Sequence, residues 1–426
     1  RRYNGGALMK SYRSHFLAAA ASICAAGASP AIAQETTTPE PAPSDSSTQK
    51  RTADYLDLTG SLGYSSNPFL GINGDSSIFA RASARGVHTW LSELSSTSLS
   101  GFVEGSTYFR EGYGVKSVFA VDANHTRRVN ETWTVFGSVG ASGDIGGQLS
   151  NRFLGVDPII IDPSLPPPPT TPNDADLFSF SSRQYRLYGQ AGASIRTSAR
   201  GSVSVSGGLQ RWFYTNSTLP DYTNVYGTVS YNHRLSERTS VGGSLNAVRT
   251  IYSESDDSSV VISPAVTVRT NLSESWTASG SLGVSFSSIG RGGGTHRSTN
   301  ISGNGLICNS SDREQLCASV ARSTNASARS SVVTTTSVSL NWAHSLDEKQ
   351  KIRLSGGFTH YEEDAVTDSS LNSNYWRIAA SYDRRISQRF SGGVEASVRS
   401  FLRSGPDPDK DVGGTVYVRY RLGDLG

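Results

Sequence analysis

Beyond residue 33, no apolar run approaches the roughly 20 residues that a membrane-crossing helix needs, and only 36% of the chain is hydrophobic. A helical membrane protein is thereby excluded, while soluble and β-barrel architectures both stay open. Cysteine is scarce. Of the 3 in the chain, Cys24 lies in the N-terminal apolar stretch, which leaves Cys308 and Cys317. Their spacing, without neighbouring His or further Cys, is a poor metal signature, so no metal is expected. An even count fits one Cys308–Cys317 disulfide in an oxidising compartment. The run Gly290-Arg291-Gly292-Gly293-Gly294 lacks the GKS/T of a phosphate loop, and no cofactor is expected. A net charge of only +3 gives no indication of a nucleic-acid partner.

Methionine occurs once, at Met9, so translation is expected to begin there, with residues 1–8 as non-coding upstream sequence. Residues 9–33 read as a signal peptide: Lys10 and Arg13 are its basic start, Phe16 to Ala26 its apolar segment, and Ala31-Ile32-Ala33 its cleavage site. Cys24 does not mark a lipoprotein, because Ile23 precedes it where a small residue is required. Residues 34–52, rich in Thr, Pro and Ser, cannot bury a core and are expected to form a disordered periplasmic leader.

What the rest of the chain has in abundance is alternation, interrupted by one recurring turn. Arg128-Val129-Asn130-Glu131, Arg234-Leu235-Ser236-Glu237, Asn271-Leu272-Ser273-Glu274, Ser345-Leu346-Asp347-Glu348 and Arg385-Ile386-Ser387-Gln388 each separate two stretches of period 2. Short turns on one side and longer loops on the other predict an all-β, transmembrane, up-and-down antiparallel barrel over residues 53–426. It would have about sixteen strands and long extracellular loops. The faces are distinct: Trp276, Ala278, Gly280, Leu282, Val284 and Phe286 alternate with Thr277, Ser279, Ser281, Gly283, Ser285 and Ser287. A soluble sandwich would carry Lys and Glu on its polar face, whereas small hydroxylic residues suit a wetted lumen.

Tryptophan placement agrees with a barrel. Trp90, Trp133, Trp276 and Trp342 fall beside short turns, while Trp212 and Trp376 fall at the opposite strand ends. Tyr64, Tyr214, Tyr252 and Tyr361 lie at similar height to the latter two. Together they predict two aromatic girdles. Strand parity predicts a pore lined by Arg81, Arg85, Arg186, Arg269, Arg353, Arg377, Arg399, Arg419, Glu104, Asp122 and Glu395, with Asp57 and Asp383 beside them. Ile145 to Ser182 is a proline-rich loop. Gly290 to Ser330, holding both cysteines and several arginines, is expected to be a cationic loop at the mouth, its tip stiffened by the disulfide. No catalytic residues are expected. His125, His233 and His344 lie by short turns, and His360 sits with Glu362, Glu363 and Asp364 in what reads as an acidic surface loop.

The segment Leu62-Gly63-Tyr64-Ser65-Ser66-Asn67-Pro68-Phe69-Leu70, the repeated Leu-Ser-Glu turns and the ending Tyr420-Arg421-Leu422-Gly423 carry a family resemblance. The chain resembles the outer-membrane family known as the second β-barrel porin family, over roughly residues 54–423. That resemblance implies a barrel in the Gram-negative outer membrane, with members frequently linked to capsule or exopolysaccharide secretion and so to periplasmic export proteins. The closing strand, Asp411-x-Gly413-x-x-Val416-x-Val418, resembles the signal read by barrel-assembly machinery, although the chain ends in Gly426 and not Phe. The expectation is a polysaccharide export channel embedded in outer-membrane lipid and lipopolysaccharide. The alternatives are a general or anion-preferring diffusion porin, and a surface adhesin or scaffold anchored by a plugged barrel.

Overall fold

The computed structural model describes residues 53–70, 74–144, 183–215, 219–253, 257–291, 294–327, 331–364, 372–403 and 409–423. The stretches read as signal peptide and leader, and the proline-rich stretch 145–182, lie outside the described residues.

The alternating stretches form strands β1 (Ala53–Ser65), β2 (Ser77–Leu91), β3 (Ser95–Tyr108), β4 (Val115–Arg128), β5 (Trp133–Asp144), β6 (Arg183–Arg196), β7 (Gly201–Thr215), β8 (Tyr222–Arg234) and β9 (Thr239–Tyr252). They continue as β10 (Ser258–Asn271), β11 (Trp276–Arg291), β12 (Gly294–Ser310), β13 (Glu314–Ala326), β14 (Val332–Ser345), β15 (Gln350–Asp364), β16 (Asn372–Arg385), β17 (Phe390–Arg403) and β18 (Asp409–Gly423). Each strand pairs antiparallel with its sequence neighbours, and β18 pairs with β1 from Tyr55↔Gly423 to Ser65↔Gly413. The ring is therefore closed.

The expected count of about sixteen is corrected to 18. The two additional strands are β12 and β13, cut from the stretch read as a loop. Their apolar face is thin (Ile301, Ile307, Val320), and Gly, Ser and Asn occupy most other positions, so the period was faint. The cysteines consequently lie elsewhere than expected. Cys308 and Cys317 are cross-strand partners near the short turn Ser311–Glu314, at the end of the barrel opposite the mouth, and their disulfide staples adjacent strands with Cα atoms 4.1 Å apart. The cationic mouth loop is likewise corrected: Arg297 and Arg322 are strand residues, and Arg313 sits at the short-turn end.

The recurring turn has one construction. In four of the repeats the N–H of the aliphatic residue donates to the carbonyl four residues on: Val129 to Trp133, Leu235 to Thr239, Leu272 to Trp276 and Ile386 to Phe390, at 2.8–2.9 Å. Leu346 does the same to Gln350. The polar residue that follows accepts a backbone N–H, as when Trp133 donates to Asn130 Oδ1 (2.8 Å) and Trp276 to Ser273 Oγ (3.1 Å). These side-chain turns explain why only Ser, Asn or Asp occurs there. The aliphatic residue itself stays outside, with Val129, Leu235, Leu272 and Ile386 all more than half exposed.

Pairing register fixes which way side chains point. On β1, Leu62 is 61% exposed and Asp57 2%, and the inversion recurs around the barrel, with aliphatic residues outward in the belt and hydroxyls and most charges inward. Trp90, Trp133, Trp276 and Trp342 point outward beside the short turns, and Trp376 points outward opposite Phe358 near the other end. Trp212 is a correction to the girdle. It shares an inward row with Arg186 and Tyr222, because Leu209 and Val225 occupy the outward parity on β7 and β8. Tyr214, Tyr252 and Tyr361 also face inward, while Tyr64 faces outward.

The wall has one irregular seam. β12 and β13 pair only from Gly303↔Arg322 down to Ser310↔Gln315. Above that level β12 stays with β11, and the upper ends of β13 and β14 fold inside the wall, where β13 touches β10 and β11. Thr324, Val332 and Thr334, outward by parity, are buried there, as are Ser259, Val261, Ser285, Ser287 and Ile289 on the inner face of β10 and β11. The Tyr252 hydroxyl pins the overlap by donating to the Ser327 carbonyl (2.7 Å).

Candidate functional site

The interior has two unlike walls. Along β15 to β18 and β1 to β3, cross-strand neighbours bring opposite charges together: Arg81 with Glu104 (3.2 Å), Arg353 with Asp383 (2.6 Å), Arg377 with Glu395 (3.1 Å), Arg399 with Asp411 (2.8 Å) and Arg421 with Asp57 (2.7 Å). The Tyr417 hydroxyl adds a donor to Asp383. Arg85 and Arg419 face inward on the same wall, Arg85 as the register partner of Asp57. Charges held this close in a partly buried setting satisfy one another, so this wall is rigid and its field is short-ranged.

The facing wall is different. Strands β6 to β12 contain no Asp or Glu at all. Arg186 lies between the rings of Tyr188 (4.7 Å) and Trp212 (5.5 Å), and aromatic packing continues through Trp212–Tyr222 (6.2 Å) and Tyr222–Tyr252 (5.8 Å). Amides and hydroxyls fill the spaces between: Tyr226 with Gln190 (3.1 Å), Thr228 with Asn246 (3.0 Å) and Thr250 with Asn224 (2.6 Å). Arg269 faces inward lower on β10, and Asp122 on β4 accepts the Tyr188 hydroxyl at the edge of this strip. Every charged residue expected inside is therefore inward-facing. The aromatic strip was missed, since Trp212 and Tyr252 were placed on the outer surface. The absence of acid over seven consecutive strands was its legible signal.

The mouth is narrowed from two sides. After β1 the chain turns inward, and Asp411 holds it: its carboxylate accepts from Ser65 Oγ (2.7 Å), Ser66 Oγ (3.2 Å) and the Asn67 N–H (2.9 Å). Arg399, fully buried, donates to Asp411 (2.8 Å) and to the Pro68 carbonyl (2.7 Å). This anchor drives Phe69 against Tyr108 and Tyr113, and Leu70 against Val333, Tyr361, Tyr375 and Phe401. Leu70 has φ +48°, a left-handed conformation that a β-carbon disfavours and that the surrounding contacts enforce. Val333 belongs to the infolded tip of β14, so the two intrusions meet against the inner face of β14 to β17.

His125, His233, His344 and His360 stand outside this interior. His360 bonds Asn374 (2.7 Å) on the outward face of β15, a strand residue and not part of an acidic loop, while His344 bonds Glu314 (3.1 Å). Among the described residues no group of His, Cys, Asp and Glu is placed to hold a metal.

Fold and interior define an 18-stranded closed antiparallel barrel with a charged wall, an aromatic–amide wall and a constricted mouth. No protein-family model matches the chain, and no curated protein matches it in sequence. Among solved structures, it is similar in shape to OccK2 of Pseudomonas aeruginosa, with 12% identity and TM-score 0.46 over 88% of this chain and 98% of that one. It is also similar to the FrpB iron transporter from Neisseria meningitidis (8%, TM-score 0.46, 86% and 81%) and to the siderophore receptor PirA from Acinetobacter baumannii (8%, TM-score 0.44, 88% and 81%).

Proposed function

We propose that this chain is a gated outer-membrane channel that conducts acidic or neutral polysaccharide. The membrane assignment rests on the inverted pattern: aliphatic residues outward through the belt, most charges inward, a closed ring of strands, and outward tryptophans beside the short turns. The seven-strand acid-free sector with its inward ladder of rings and amides carries the substrate assignment. Aromatic faces stack on the C–H faces of sugars, amides exchange hydrogen bonds with their hydroxyls, and Arg186 attracts carboxylate groups. Weak, repeated contacts of this kind let a chain slide where one tight site would trap it.

In this reading the Ser66–Leu70 segment and the β13–β14 tip are the gate, and the expected associates are periplasmic export proteins, with barrel-assembly machinery acting during insertion. Single-channel conductance in a planar bilayer tests it. Long acidic oligosaccharides should block the open state transiently, and Arg186→Ala/Trp212→Ala should shorten each block. An open pore indifferent to oligosaccharide would replace this reading with a diffusion porin. A barrel that never opens would leave a surface anchor.

A further inference from the structure

The acid-free sector also has an outer face, and it carries arginines in a line. Arg183 on β6, Arg211 on β7, Arg249 on β9 and Arg297 on β12 all point outward and are exposed. Arg249, Val260, Ser288 and Arg297 are successive register partners, so the last two arginines of the line occupy one hydrogen-bonded row spanning three strand spacings, about 14 Å. Arg211 and Arg249 are two spacings apart, roughly 10 Å. The Arg211 guanidinium lies over the Phe213 ring (4.8 Å), which fixes its position on the surface.

Each arginine has the apolar belt below it on its own strand: Leu209 is the next outward residue under Arg211, and Leu187, Leu245 and Ile301 lie two outward positions under Arg183, Arg249 and Arg297. At the corresponding height across the barrel the outward residues are Tyr64, Ile78, Val115 and Val412, with Lys410 as an isolated base above Val412. The arginines are therefore concentrated on this side, at the loop-end margin of the belt, where no strand from β6 to β12 carries an acidic residue.

We propose that this line binds the phosphorylated headgroup of a glycolipid in the outer leaflet. An occupant must present anionic groups spaced along the row and acyl chains against the leucines beneath. A phosphorylated lipid does both, whereas a soluble acidic partner would leave the belt below uncovered. Arginine is suited to the role because its fork bonds two phosphate oxygens at once. The inference rests on the membrane assignment but not on the conducted substrate.

The experiment uses the full barrel refolded in detergent, with bisphosphorylated lipid A as probe and inorganic phosphate and dephosphorylated lipid A as controls. Binding should be tight to the first and weak to both controls. Removing one arginine near such a headgroup should weaken binding about fivefold, so Arg211→Gln/Arg249→Gln should lose roughly 25-fold. Tyr64→Gln/Ile78→Gln, on the opposite side, should lose little. Protection by inorganic phosphate equal to that by lipid would overturn the lipid assignment in favour of a plain anion site. Unchanged lipid binding in the arginine variant would overturn the location. Insertion of the same samples into phosphatidylcholine vesicles, read by heat-modifiable migration, separates these failures from failure of the membrane assignment.

Discussion

Asp411→Ala should release the Ser66–Leu70 segment, proposed above as part of the gate. The carboxylate accepts four hydrogen bonds, three from the Ser65–Asn67 turn and one from Arg399, and both it and Arg399 are essentially inaccessible to solvent. Truncation leaves the guanidinium buried without its anion, which typically costs about 3–5 kcal/mol. The wall cannot relax to recover this, because β17 and β18 stay locked by their ladder from Phe390↔Tyr420 to Phe401↔Asp409. The segment can relax, by leaving the lumen and letting water reach Arg399. A shift of about 3 kcal/mol in the segment's equilibrium changes its closed-to-open ratio by roughly 150-fold. Single-channel recording should show a rare open state becoming the dominant one, with no change in heat-modifiable migration. A variant that folds normally and conducts as the parent does would refute the assignment of this segment as a gate.

Three further outcomes follow from the geometry. Tyr252→Phe deletes the bond that pins the infolded hairpin to β9 and should loosen it by about 1 kcal/mol; faster amide exchange at Ser331 and Val332 with unchanged exchange in β3 is the signature. Cys308→Ser/Cys317→Ser should cost about 2.5 kcal/mol by loop entropy, seen as a lower urea midpoint, and a reductant should do the same to the parent but not to the variant. In the short turn at Asp347, the Lys349 backbone N–H donates to the carboxylate and, with help from Gln350, holds its pKa below the ordinary value. A depressed folded pKa means the turn is stabilised above the unfolded value and loses that support as pH falls through the folded one, so Lys349 amide exchange should lose protection below the usual carboxylate range, and Asp347→Ala should abolish the pH dependence.

Alternation and the repeated turn were enough to read closure, strand direction and the inward residues, because period 2 is a strict geometric consequence of the pleat. They failed where the chemistry on one face ran out. On β12, Gly303 and Gly305 stand where aliphatic residues mark the outward face elsewhere, so a real strand looked like a glycine-rich loop. Trp212 differs for another reason: its height along β7 is that of a girdle residue, but its parity, opposite to that of Leu209 and Val205, turns it inward. The infolded Ser66–Leu70 segment was invisible in another way. Ser66 to Leu70 is a short apolar-ended loop, and only the fold brings Asp411, more than three hundred positions later, beneath it. Long-range partners of that kind leave no local trace in a sequence.

A tube whose wall overlaps itself has no single circumference. Below Gly303 the perimeter is set by 18 hydrogen-bonded strands and a disulfide, whereas above it the last turns of β13 and β14 lie inside their neighbours like the end of a rolled sheet. Sliding that end outward into register with β12 would widen the upper rim and leave the lower rim unchanged. The cylinder would become a funnel without breaking any strand pair that now exists.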